Sequence, residues 1–137
     1  MRNSLATEKC LVEKDGVASV RECPAFLALS LIANKWSIRI LHLLLSEPGH
    51  TLRFSGIQKA LDNITQRELT KQLREFERSG LVARKVYPVV PPRVEYTLTK
   101  LGHSLMEPVG QLSDWAAEHA AAIQKNRTEF EKKKSKA

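Results

Sequence analysis

The sequence predicts a mainly α-helical winged helix-turn-helix domain, with a small β-hairpin wing and a long terminal helix. Three observations predict it. Two segments with helical spacing, 56–61 and 66–79, are separated by a tight turn at Asp62-Asn63-Ile64. After Gly80 the apolar period changes to two over a pair of strands, Leu81 to Tyr87 and Arg93 to Leu98. A long amphipathic run then extends from near Thr99 to about Lys125.

Size and composition agree. The chain has 137 residues, 42% hydrophobic and 27% charged, which suits one globular domain with a true core. No apolar run approaches the roughly 18 residues of a membrane span. Met1 to Cys10 lacks the apolar stretch of a secretory signal, and two cysteines cannot build a disulfide framework. The expectation is a cytoplasmic domain with no membrane partner. It divides into a flexible arm (1–20), the winged helix-turn-helix with its dimerisation helices (21–123) and a basic, frayed tail (124–137).

Each element has a local cause. Ala25, Phe26, Leu29, Ile32 and Ala33 recur at helical spacing, with Pro24 at the first helical position and Cys23 at the N-cap. Asn34 interrupts this helix and can cap the next, Lys35 to Leu45, whose buried side is Trp36, Ile40, Leu41, Leu44 and Leu45. Ser46-Glu47-Pro48-Gly49 reads as a loop, and Thr51 to Phe54 as a short extended piece. Ser55 with Gln58, and Thr65 with Glu68, have capping-box spacing at the starts of the next two helices. The first of these helices should bury Ile57, Ala60 and Leu61. The second should end at Gly80, a residue suited to the left-handed position after a helix. Pro88, Pro91 and Pro92 remove ladder donors and make a stiff wing tip. In the final helix Leu101, Leu105, Val109, Leu112, Trp115 and Ile123 share one side, and Pro108 should kink or divide it.

Charge points to the partner. The net charge is +7, and its distribution is uneven. Residues 53–100 carry ten basic and five acidic side chains, whereas 101–123 carry none and three. On the wheel of the helix from Gln66, the residues Arg67, Lys71, Arg74 and Arg78 fall within an arc of about 60°. Leu69, Leu73 and Phe76 occupy the opposite side. Such a helix docks inward on its apolar stripe and faces phosphates with the other. Early groups, Gln66, Arg67, Thr70 and Lys71, are placed to read base edges, glutamine suiting adenine and arginine suiting guanine. Arg74 and Arg78 lie further back, toward the backbone phosphates. In the wing, Arg84, Lys85 and Arg93 can reach the backbone or an adjacent minor groove, and Arg53, before the helix-turn-helix, is a further phosphate contact. The predicted partner is double-stranded DNA. A winged helix that binds an acidic partner protein is the alternative, and the basic wing argues for DNA.

Cys23-Pro24, Lys35-Trp36, Arg53-Phe54, Leu69 through Gly80-Leu81, Tyr87-Pro88, Pro91-Pro92, Val94-Glu95-Tyr96, Leu98-Thr99 and Gly102 together resemble the HxlR-type family of bacterial winged-helix regulators, over about residues 21–118. The resemblance implies a homodimeric transcription factor joined through its terminal helices, acting on a roughly palindromic operator. It also implies, for some members, a response to electrophiles or oxidants through the cysteine matching Cys23. From the residues alone, a helix N-terminus and Arg21 favour a Cys23 thiolate while Glu22 opposes it. A structural cap fits as well as a sensor, and Cys10 could resolve an oxidised Cys23. The four histidines form no HExxH, and no nucleotide-binding or nucleophile motif is present, so neither a metal site, a cofactor nor an enzyme is expected.

Overall fold

A computed structural model describes residues 12–14, 17–19 and 24–136. Two short strands, β1 (Val12–Lys14) and β2 (Val17–Ser19), pair antiparallel where a loose arm is expected. Cys10 and Cys23 lie outside the described residues.

Helix α1 (Pro24–Ile32) forms as expected but buries none of its residues fully. Phe26, Leu27 and Leu29 are exposed, and only Leu31 and Ile32 pack on the core. Helix α2 (Ser37–Ser46) starts two positions after Lys35. The Asn34 side-chain oxygen accepts the Trp36 N–H at 2.8 Å, a turn that holds Lys35 and Trp36 ahead of the helix. Ile40, Leu41 and Leu44 are buried and Leu45 only half-buried. A 3-10 turn (Pro48–His50) replaces the expected loop and leads into β3 (Thr51–Arg53).

Helix α3 (Phe54–Ala60) begins ahead of the expected Gly56, with Arg53 as a cap that makes no side-chain bond. The Ser55–Gln58 capping box therefore does not form: Ser55 already lies inside the first turn. Packing sets this start, with Phe54 half-buried and Ile57 fully buried, while Ala60 is exposed and Leu61 half-buried. A turn with Asn63 at φ 73° leads to helix α4 (Gln66–Arg78). Here the predicted capping box is present: Thr65 Oγ1 accepts the Glu68 N–H at 3.1 Å, and Glu68 Oε2 accepts the Thr65 N–H at 2.9 Å. Gly80, at φ 78°, closes the other end. Its N–H donates to the Glu77 carbonyl and the Leu81 N–H to that of Phe76, so the last carbonyls of α4 are satisfied.

Strands β4 (Val82–Tyr87) and β5 (Arg93–Leu98) form the wing, and the sheet order is β3-β5-β4, all antiparallel. Helix α5 (Lys100–Lys136) runs unbroken through Pro108 and past Lys125. Met106 and Val109, on either side of the proline, are both anchored in the core, which holds the helix together across the lost hydrogen bond. The expected basic tail is helical through Lys136, and Lys133, Lys134 and Lys136 in the last turn complement the helix dipole at its C-terminus. The core joins α2, α3, α4, the sheet and the start of α5, with Leu69, Leu73 and Phe76 at its centre. Among the described residues no single helix is long and apolar enough to cross a membrane.

Candidate nucleic-acid interface

Helix α4 is held at both ends by its own sequence and along its length by burial. Leu69, Leu73 and Phe76 are essentially inaccessible, and Gln72 joins them at the edge of the core. Arg67, Lys71, Arg74 and Arg78 are all exposed on the other side. Gln66, Arg67, Thr70, Lys71 and Arg74 line one shallow open groove with Glu75, so the residues expected to meet bases are brought together. Arg78 stands apart. Its guanidinium donates to Glu75 at 2.9 Å, an exposed pair spaced at i, i+3 that offsets part of its charge. Thr70 is half-buried.

The start of this helix is electrostatically set. Glu68 is exposed, and the backbone N–H of Thr65 holds its carboxyl below the usual carboxylate value, with smaller help from the Thr65 hydroxyl, the Trp36 side chain and the Lys35 charge. A fixed carboxylate in the first turn suits the helix dipole. It sits next to Arg67 in sequence but one turn face away, so the basic stripe stays unbroken.

The sheet sorts the remaining cations by face. Arg53, Glu95 and Lys85 form one row across the three strands, since Arg53 and Lys85 both pair with Glu95. Tyr87 and Arg93, the next cross-strand pair, lie on that same face. Arg84 pairs with Tyr96 and so belongs to the opposite face. Arg84 and Lys85, neighbours in sequence and both exposed, therefore point to different sides of the wing. Arg93 is half-buried, with its guanidinium 4.1 Å from the centre of the Tyr87 ring and its Nε 3.7 Å from a Glu95 oxygen. Lys85 also lies over that ring, at 4.9 Å. Glu95 and Tyr87 were not among the residues expected to form the site. Their signal is the strand register, which sequence spacing on one strand does not reveal.

Two contacts tie this helix to the long one. Thr99 caps α5 by accepting the Gly102 N–H, and its hydroxyl reaches the carbonyls of Gly80 and Leu81 at 2.6 and 3.1 Å. Beyond Val109, α5 packs on little of its own chain: Leu112, Trp115 and Phe130 are 51%, 54% and 65% exposed. Trp36, in contrast, is buried and flanked by Lys35 and Arg39. His50 and His103 approach to 5.7 Å between ring centres, and no group of three metal-binding side chains occurs among the described residues.

A comparison with known proteins decides the family. The profile of the HxlR-like helix-turn-helix proteins matches residues 31–124, from α1 to the middle of α5. This chain belongs to the HxlR-like helix-turn-helix family. It is a transcriptional regulator of the winged-helix type. Among its relatives, the HTH-type transcriptional regulator YdeP of Bacillus subtilis is 40% identical over 103 residues, 75% of this chain and 78% of that one. The redox regulator HypR in its reduced form is 35% identical, with a TM-score of 0.65, covering 74% of this chain and 98% of its own. The reduced form of the regulator YodB from B. subtilis is 34% identical, with a TM-score of 0.61 and coverages of 69% and 90%.

Proposed function

We propose that this HxlR-like protein is a cytoplasmic, homodimeric regulator that binds a roughly palindromic operator in double-stranded DNA. The observation that carries the reading is the clean division of α4, with its apolar stripe buried and four cations exposed opposite. Gln66, Arg67, Thr70 and Lys71 read base edges in the major groove. Arg74, Arg78, Arg53, Lys85, Arg93 and Arg84 meet the backbone, the last from the other side of the wing. The exposed apolar stripe of α5, with that of α1, supports the dimer: two copies cover what one leaves in water. Two recognition helices then sit about 34–36 Å apart, one turn of the duplex. Retardation of a fragment from the region upstream of its own gene, resisted by competitor DNA, tests this. Binding no tighter than to random duplex overturns it.

Cys23 is the proposed sensor and Cys10 its resolving partner. The support is the position of Cys23 directly before α1 and the likeness to HypR, described as a redox regulator, and to YodB, also solved after diamide treatment. Cys23→Ser should bind operator normally yet keep binding after diamide. An unchanged diamide response in that variant assigns Cys23 a structural role.

A further inference from the structure

The positive charge at the end of β3 has a shape of its own. Strand β3 ends at Arg53, opposite Glu95, and the chain turns at once into α3. Strand β5 begins two residues earlier in the ladder, at Arg93, and is paired there only with β4. The sheet is therefore two strands wide at Arg93 and Val94, and a cleft opens where a third strand would lie. Arg53, Phe54 and Ser55 form one wall of this cleft and Pro91, Pro92, Arg93 and Val94 the other. The two guanidinium-bearing residues, forty positions apart in sequence, line it together.

Arg93 is prepared to act here. Its Nε is buried and makes no hydrogen bond, with the Glu95 oxygen too distant at 3.7 Å to satisfy it. Stacking on Tyr87 fixes the plane of the guanidinium. A donor held in place but left unsatisfied is costly unless an acceptor arrives. Among the described residues Arg53 makes no ion pair. Apart from Ser55, the remaining side chains are a phenyl ring, two proline rings and a valine, which can pack on the carbon face of a deoxyribose and carry no acceptor.

We propose that this cleft is a binding site for one phosphodiester group of the DNA backbone, gripped jointly by Arg53 and Arg93 with the Ser55 hydroxyl as third donor. It deepens, and rests on, the DNA-binding reading above. Glu95 and Tyr87 are positioning residues: they hold Arg93 and touch no DNA. Arginine suits the task because its planar fork matches phosphate oxygens, which a lysine ammonium does not. The site fixes the wing relative to the helix-turn-helix at a single point on the duplex, and so sets register rather than sequence.

Phosphate-ethylation interference on a duplex the full-length protein binds tests this, with Arg53→Gln, Arg93→Gln, Arg93→Lys and Ser55→Ala. The expected result is that Arg53→Gln and Arg93→Gln erase the same phosphate from the footprint of each half-site. Each should flatten the dependence of log K on log salt by about 1 per half-site. The double variant should lose little beyond either single one, since the two share a ligand. Arg93→Lys should retain charge but still lose the footprint at that phosphate, and Ser55→Ala should weaken it in a chain whose charge is unaltered. Footprints lost at two different phosphates, or additive losses in the double variant, overturn the shared site while leaving DNA binding intact. Failure of the unmodified protein to bind any duplex overturns the DNA-binding reading, and the cleft's ligand with it.

Discussion

Arg67 and Arg78 lie on one stripe of α4 yet differ in setting. Arg67 is in the first turn, inside the open groove; Arg78 is in the last turn and bonded to Glu75. Arg67→Ala should relax preference at one operator position, by about 1–3 kcal/mol where that position is guanine. Arg78→Ala should weaken operator and random DNA alike, and only slightly, because Glu75 already offsets its charge. Competition titrations against both DNAs check this, and equal losses for Arg67→Ala would refute its role. Thr65 is a simpler case: Thr65→Ala removes the N-cap acceptor and should cost about 1 kcal/mol in urea unfolding. The Glu68 carboxyl is lowered in the folded state, so its contribution is fully present above the ordinary value of 4.5 and is lost as pH falls through the lowered one. The advantage of the natural chain over Glu68→Gln should accordingly be largest near neutral pH and shrink under acid, which unfolding curves at stepped pH will show.

Helix α5 and helix α4 meet at one junction. A side chain at Gly102 would run into the Leu81 carbonyl and come within 2.7 Å of Leu98 Cδ1. The same carbonyl accepts the Thr99 N–H and lies in the turn that ends α4. Gly102→Ala should therefore destabilise the fold by roughly 1–3 kcal/mol and also weaken operator binding, because the strain reaches α4. Thermal unfolding with a parallel binding titration tests both halves, and an unaltered Tm would show that α5 can shift freely. The sequence exposed such features unevenly. Thr65 and Glu68 were legible because both partners of a capping box lie within one turn. Ser55 and Gln58 have the same spacing, but Phe54 and Ile57, packing on the core, set the helix start ahead of Ser55. Pro108 misled for a related reason: local propensity predicts a break, and the anchoring of Met106 and Val109 overrides it.

Among the described residues, large apolar side chains are left in water on α1 (Phe26, Leu27, Leu29), on the outer part of α5 (Leu112, Trp115, Phe130) and on the wing (Val86, Val89, Val90). A chain ending at Gly110 keeps Met106 and Val109 but loses Leu112, Trp115, Ile123 and Phe130. It should stay folded, sediment as a monomer and bind operator about 100-fold or more weakly, since two linked half-sites become one. A truncated chain that remains dimeric would move the interface elsewhere. The winged helix and its basic stripe were legible from 3.6-residue and two-residue periods, which record contacts within the chain. The exposure of α1 was not, because apolar spacing reports that a face is to be buried and not whose atoms bury it. Arg84 and Lys85 show the same limit: their separation onto two faces depends on pairing with Tyr96 and Glu95, residues on another strand.

The strand order β3-β5-β4 has a consequence for solubility. It leaves β4, six residues long, with one edge of open backbone donors and acceptors, a template on which another chain could zip. Arg84 and Lys85 stand at the middle of that edge, one on each face, so a second copy approaching from either side meets its own positive charge. The cations assigned to the duplex are thereby also the guards of an aggregation-prone edge in the protein that is off its DNA. Replacing them with threonine or valine to silence binding would remove the guard as well, and precipitate would then be mistaken for lost affinity.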